Sequence, residues 1–411
     1  MPSPTLDLAH VRSQFPGLSR GWTLFDNAGG SQILRGAVER ITEFLYEKNV
    51  QIGGSYEVSL AAAEALRAGR QAAATLMNAA RPEEIIFGPS TTVLLQNLSR
   101  AMRSQLQPGD EVIVSMSDHE SNIGPWVTLQ EFGIVLKFWP LNHDTLSLEL
   151  ADLAPLMTDR TKLVAVTHVS NILGQVNPIA EIARFVHDHG ARICVDAVAY
   201  APHRAIDVQA WDVDYYVFSL YKTYGPHYAV MYGKFDHLLE LDTLYHYFYG
   251  KDKVPGKLEP GNPNYECAYS TLAIRDYFVG LGGVVTSPRA AIEAGFAAVT
   301  RQEDALVERL LSYLTARNDC RVFGATVNES SRRIPTVAFR FDGRDSGALA
   351  KEMDAHKIAI RHGDFHSRRL VEDLNQTGDG GLLRVSMVHY NTLEEVDQLC
   401  SAFDRMLRQA E

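Results

Sequence analysis

Between about residues 55 and 235 the chain alternates short, continuously apolar runs with stretches of helical periodicity, and this alternation limits the possible folds. The runs EIIFG, DEVIVSM, IVLKFW, TKLVAVTHV, RICVDAVA, DYYVFSL and YAVMYG read as strands. Between them SLAAAEALRAGRQAAATLM, TTVLLQNLSRAMRSQL and PIAEIARFVHDHG read as helices. Apolar runs without polar alternation belong to sheets covered on both faces. Strands alternating with helices imply a right-handed α/β unit whose ligand crevice lies beyond the carboxyl ends of the strands. The fold expected is α/β: a mostly parallel seven-stranded sheet with helices on both faces, plus a smaller α+β C-terminal domain.

At 411 residues the chain exceeds one ordinary core, so two domains are expected. The Gly- and Pro-rich GKDKVPGKLEPGNPN reads as a long loop, and Pro288 to Arg317 as a helix bridging into a second unit. That unit closes with the strand LLRVSMV and a helix opened by the capping box Thr392-x-x-Glu395. The boundaries expected are 1–24 for an N-terminal segment on the small domain, 25–287 for the large domain and 288–411 for the small one.

A formal net charge of −11 argues against nucleic acid or an anionic membrane as partner. No apolar run approaches the ~20 residues of a membrane span. The start MPSPTLDLAHVRSQF lacks the basic and apolar blocks of a secretion signal. Cys194, Cys267, Cys320 and Cys400 lie far apart, which suits a reducing cytoplasm and offers no paired metal spacing. His362 and His366 have helical ligand spacing, but the intervening Gly363 weakens a helix, and no metal is expected.

Polar residues gather where strands end. Ser90, Thr91 and Thr92 follow EIIFG; Asp118, His119 and Asn122 follow DEVIVSM; His168 and Asn171 follow LVAVT. Asp196 closes RICVD, and Lys222 is the one formal charge between Tyr215 and Gly233. Each has a plain structural reading: a snorkelling lysine, a turn aspartate, a helix N-cap. Jointly, at one sheet edge, they point to pyridoxal 5'-phosphate (PLP). That cofactor needs a lysine for its imine, an acid for its ring nitrogen and a helix N-terminus for its phosphate. Burial among aromatic side chains would lower the lysine's pKa toward a nucleophilic amine.

With these residues in place, the chain from about Phe25 to Leu407 resembles the class V aminotransferases, specifically the cysteine desulfurase/selenocysteine lyase-like branch of fold-type I PLP enzymes. LFDNAGG looks like that family's opening strand, and DHESNIGPW resembles its E-H-x-x-N-I-x-P-W segment. THVSNILGQVNPI, DYYVFSLYKTYGP and LRVSMVHYNTLEEVD are similar to further family segments. The resemblance implies that Lys222 is the Schiff-base lysine, Asp196 the ring-nitrogen partner and His119 the stacked imidazole. It implies that Asn171 reaches the ring's phenolic oxygen, that Thr91, Thr92, Ser219 and Tyr221 cradle the phosphate, and that Arg384, with Asn27 and Ala28, binds the substrate. It further implies a homodimer in which a partner loop, carrying Asn262, completes each phosphate site.

The departures bear on the reaction. Where the family carries glutamine three residues past the aspartate, this chain has Ala199, and where it has R-x-G-x-x-C this chain reads RHGDFH, with His366 in the cysteine's place. An imidazole cannot store a persulfide. The favoured reading is a lyase that eliminates a β-substituent from a small α-amino acid, with His366 as general acid; transamination and epimerisation are alternatives. A non-enzymatic PLP scaffold is argued against by the intact Lys222 and Asp196. LYHYFYGKDKVPGK shapes either the substrate pocket or a core or interface surface.

Overall fold

The computed structural model describes residues 6–244, 246–283, 285–327 and 329–408, so residues 1–5 of the expected N-terminal segment and Tyr245 of the aromatic stretch lie outside it. The chain opens with α1 (Leu8–Ser13), the two-residue strand β1 (Thr23–Leu24), α2 (Arg35–Glu47) and the long α3 (Glu57–Met77). The apolar runs then form β2 (Ile85–Gly88), β3 (Glu111–Ser115), β4 (Val135–Trp139) and β5 (Thr161–Thr167). β6 (Arg192–Asp196), β7 (Tyr215–Ser219) and β8 (Ala229–Gly233) complete them. Between the strands run α4 (Thr91–Met102), the single turns α5 (Gly124–Val127) and α6 (Leu150–Leu153), and α7 (Ile179–Asp188).

The lateral order is β2-β8-β7-β6-β5-β3-β4. β8 runs antiparallel to both of its neighbours, and every other pairing is parallel. The expected mostly parallel seven-stranded sheet is present. β7 and β8 are buried along their whole length because helices cover both faces.

α8 (Phe235–Glu240), α9 (Tyr265–Gly282) and the 28-residue α10 (Pro288–Thr315) follow. The sequence reading did not foresee α9. It lies against α3 so closely that a Cβ at Gly69 would sit 2.1 Å from the carbonyl oxygen of Ala268, which explains the glycine.

The C-terminal elements are β9 (Cys320–Phe323), β10 (Thr336–Phe341), α11 (Ser346–Met353), β11 (Ile358–Ala359), β12 (Arg361–Gly363), α12 (Arg368–Asp373), β13 (Leu382–Ser386) and α13 (Leu393–Arg408). Their antiparallel sheet has the order β12-β13-β10-β9. Thr392 and Glu395 form the expected reciprocal cap: Thr392 N–H donates to Glu395 Oε2 at 3.1 Å, and Glu395 N–H to Thr392 Oγ1 at 3.2 Å.

β1 is two residues long and pairs in parallel with β11, not with the large sheet, and Asp26 bridges to Ser386. Phe25 is buried with Leu310, Val337, Phe339, Leu383 and Phe403 in the apolar cluster of the C-terminal sheet. The main sheet has its own cores, around Ile113, Val164 and Phe218 on one face and Val114, Ala165 and Val217 on the other.

Candidate active site

The loops after β3 and β5 lead to opposite sides of the sheet, toward β4 and β6, and so open a crevice beyond those strand ends. Ser90, Thr91, His119, Asn171, Asp196 and Lys222 line a cavity there of about 70 Å³, with Thr92, Ser219 and Tyr221 also in its wall.

Lys222 ends the short turn after β7 and is half-buried, its Nζ 5.6 Å from the centre of the Tyr221 ring. Burial, seconded by the Arg384 charge, brings its pKa down from 10.5 to about 8, against the pull of Asp196 and Asp26. Asp196 is buried at the end of β6. Its Oδ1 accepts the Val198 N–H at 2.9 Å and its Oδ2 the Ser121 hydroxyl at 3.4 Å.

A second buried carboxyl, Asp118, stands beside it. Asp118 Oδ2 accepts from Ser115 Oγ at 2.7 Å and Asn122 Nδ2 at 3.0 Å, while Oδ1 has no partner. Burial raises Asp118 well above the carboxylate range, and the Asp196 charge raises it further. Burial also raises Asp196, but the Val198 amide, Lys222 and Ser121 hold it down. Of the coupled pair Asp118 is raised the further, so a proton rests on it in preference to Asp196.

His119 Nδ1 accepts the Ser121 N–H at 3.1 Å and lies 2.8 Å from Ser121 Oγ, so the ring proton belongs on Nε2. Burial first, then Lys222, His366 and Arg384, push its pKa down to about 3. The ring facing the cavity is neutral. Beneath it Ser90 caps α4 by accepting the Val93 N–H at 3.2 Å, leaving the first-turn amides of Thr91 and Thr92 without intrahelical acceptors. Thr91 Oγ1 and Ser219 Oγ are 2.7 Å apart, and Ser219 also bonds the Tyr221 side chain.

Arg384, on β13, donates through Nη2 to Asp26 Oδ1 at 3.0 Å and through Nη1 to the Asn171 carbonyl at 3.1 Å. Its Nε is buried with no partner. The Phe365 ring covers the guanidinium at 4.1 Å, and Arg361 pairs with the other Asp26 oxygen at 2.8 Å. Burial lowers the Arg384 pKa to about 10, which leaves it charged at neutral pH.

Other expected residues stand elsewhere. The His366 ring lies 5.5 Å from the His119 ring, but it is exposed and walls an adjoining hollow with Glu120 and Arg369. Asn262 is exposed at φ 68° and does not line the chain's own cavity. Asn27 and Ala28 are tied into the C-terminal sheet. The Asn27 amide donates to Leu24, Ser386 and Asn391 and accepts from Tyr390, while the Ala28 N–H is held by Ser386 Oγ at 2.8 Å. Neither has a free donor for a substrate, because both tie β1 to the C-terminal sheet. His168 is also structural, stacked on Tyr200 at 3.6 Å and bonded to Tyr216.

The sequence reading missed Asp26, Ser121, Phe365 and Ser367. Asp26 lay in the quoted LFDNAGG and Ser121 two residues past His119, so both were within reach; Phe365 and Ser367 carry no signal before the backbone is known. The four cysteines are all free, none lines the cavity, and burial pushes Cys267, Cys320 and Cys400 up to about 12 and Cys194 well up. Among the described residues no group of three His, Cys, Asp or Glu side chains is placed to hold a metal.

The donor set fits a ring bearing a phosphate: unmet helix amides and hydroxyls at one end, the buried Asp196 carboxyl at the other, a nucleophilic amine between. Residues 23–399 match the family model described as aminotransferase class-V. The chain belongs to that family of PLP-dependent enzymes and to its cysteine desulfurase-like branch. An aminotransferase-like protein of Gibberella zeae is 40% identical over 99% of this chain and 100% of its own. A cysteine desulfurase-like protein of Aspergillus flavus is 35% identical over 98% of this chain and 91% of its own. The crystal structure of the cysteine desulfurase CsdA of Escherichia coli aligns with a TM-score of 0.84 at 27% identity, covering 99% of this chain and 100% of that one. Among the described residues no helix is long and apolar enough to cross a membrane.

Proposed function

We propose that this enzyme carries PLP on Lys222 and eliminates a β-substituent, C–S bonded or otherwise, from a small α-amino acid. When bound, PLP supplies an aldehyde that bonds covalently to amines and a ring that draws electrons from the substrate's Cα. The chain supplies the rest. Lys222, with its pKa brought to about 8, is an amine able to take the Cα proton at neutral pH. Ionised Asp196 pairs with the ring nitrogen, and neutral His119 lies against the ring face. The α4 amides and the hydroxyls of Thr91, Thr92, Ser219 and Tyr221 hold the phosphate, and Asn171 meets the ring oxygen. The unpartnered Nε of Arg384 and its adjoining Nη receive the substrate carboxylate. His366 protonates the departing group. A second copy of the chain brings Asn262 to the phosphate, which agrees with that residue's exposure away from its own cavity.

The observation that carries the choice of reaction is an imidazole, not a thiol, 5.5 Å from His119, with every cysteine outside the cavity. Incubation of the PLP-loaded enzyme with L-cysteine and a panel of β-substituted amino acids tests it. Elimination gives pyruvate, ammonia and the freed substituent. Alanine with enzyme-bound persulfide would overturn the proposal in favour of desulfuration, and pyridoxamine phosphate in favour of transamination.

A further inference from the structure

His366 and Phe365 stand in a backbone conformation that side chains resist. Both have left-handed φ, 60° and 53°, and neither is glycine. Something must hold them there. Asn171 Nδ2 donates to the Phe365 carbonyl at 3.0 Å, and the Ser367 hydroxyl donates to Asn171 Oδ1 at 2.8 Å. On the other side the Glu120 N–H donates to the His366 carbonyl at 2.9 Å, and Arg369 pairs with Glu120 at 3.1 Å. Ser367 is 1% exposed, so its hydroxyl finds no competing water.

The two side chains held in this way face different tasks. Phe365 lies over the Arg384 guanidinium, and His366 stands at the mouth beside His119. Asn171 connects them to the cavity: it lines that cavity, its amide is oriented by Ser367 and Phe365, and its carbonyl accepts from Arg384.

We propose that Ser367 is a positioning residue: through Asn171 it fixes the 364–367 turn, and with it the places of His366 and Phe365. The inference builds on the reading of His366 as the proton donor. Without the Ser367 bond the left-handed pair relaxes, the imidazole loses its place and Arg384 loses its cover.

Hydrogen exchange on the cofactor-free protein tests the turn independently of any reaction. In Ser367→Ala the peptide spanning 360–372 exchanges about tenfold faster, equivalent to roughly 1.4 kcal/mol. Trypsin cleaves faster after Arg368, whose side chain is 57% exposed. Ser270→Ala, which removes a comparably buried hydroxyl bonded to the Cys267 carbonyl, leaves that peptide unchanged. In the loaded enzyme kcat falls about tenfold while KM stays within threefold.

Asn171→Asp, which deletes the donor to Phe365, loosens the same peptide and serves should Ser367→Ala fail to fold. Unchanged exchange in whichever of these variants folds overturns the inference. Faster exchange with no eliminated product in the wild type leaves the inference standing and sinks the reaction proposed above.

Discussion

Two buried polar regions of this molecule contain nearly the same chemistry, and only one of them lines the cavity at the strand edge. In the first, at the strand edge, His119 and Arg384 are pushed by burial to pKa values of about 3 and about 10. In the second, around α10 and the start of β10, His389 and Arg333 are pushed to about 3 and about 10 for the same reason. The perturbation is equal, so it identifies nothing by itself. Satisfaction separates them. His389 has both nitrogens bonded to tyrosine hydroxyls, Tyr224 at 3.2 Å and Tyr277 at 2.5 Å. Each nitrogen of the Arg333 guanidinium donates to a backbone carbonyl, of Ala325, Ile334 or Thr336. By contrast Arg384 Nε and Asp118 Oδ1 are buried without partners, and His119 shows no Nε2 bond among the described residues. Arg204 Nε and Thr336 Oγ1 of the second region also lack partners, but its histidine and its most buried arginine are fully met, and at the strand edge the matching pair is not.

The sharpest way to break this comparison is at the nucleophile. Lys222→Ala should cost about 10²–10⁴-fold or more in turnover, and borohydride trapping with PLP should find no adduct on it. Wild type should yield a single adduct at residue 222 by mass spectrometry. An adduct elsewhere would dissolve the distinction between the regions.

The arginines give the next contrast. Arg384→Lys should raise KM roughly 10- to 100-fold and leave folding stability within about 1 kcal/mol, since a lysine loses the planar fork but keeps the charge. Arg333→Lys should do the reverse, costing about 2–5 kcal/mol in denaturant unfolding with KM unchanged. Equal behaviour of the two variants in either assay would show that unmet donors do not mark the site.

This contrast explains what could be read from the sequence. The seven strands were visible because each is a continuous apolar run, and Lys222 stood out because its neighbours are uncharged. Lys222, Asp196, His119 and Thr91 were placed together because polar residues at the ends of parallel strands share one edge. α9 went unread because it is buried against α2, α3 and α10 and has no polar stripe to show its period. β12, three residues long and mostly exposed, gives no periodicity at all. The bonds that tie Asn27 to the C-terminal sheet could not be read, because a motif fixes which residue stands near a strand end but not which way its amide turns. Ser367 matters only because the chain brings it to Asn171, 196 positions away.

Lys222 also predicts a pH signature in the cofactor-free protein. Its folded pKa of about 8 lies below its ordinary 10.5, so the folded state resists protonation. The penalty is full below pH 8 and fades as pH rises through 10.5, above which the amine is neutral in both states. Lys222→Met should therefore be more stable than wild type by up to on the order of 3 kcal/mol at pH 7, with the gap closing as pH passes about 10.5. A constant gap across that range would place the lysine in water.

The smallest expected effect is the most discriminating for the carboxyls. Glu303 is fully buried, with Oε1 2.9 Å from His203 Nδ1 and Oε2 accepting from Arg204 at 2.8 Å, so Glu303→Gln leaves the Arg204 cation underpaired and should cost about 3–5 kcal/mol. Asp118 is equally hidden but protonated. Its raised pKa means the folded state holds a proton that the unfolded chain releases above the ordinary 3.8, so Asp118 weakens the fold progressively as pH rises past that value. Asp118→Asn keeps the shape, the acceptor for Ser115 and Asn122, and the neutrality. Near pH 4 it should match the wild type within about 1 kcal/mol, and as pH rises to 7 it should become progressively the more stable of the two, because it holds no proton for the unfolded chain to release. A loss as large as that of Glu303→Gln would mean that Asp118 is ionised, and would transfer the site's proton to Asp196.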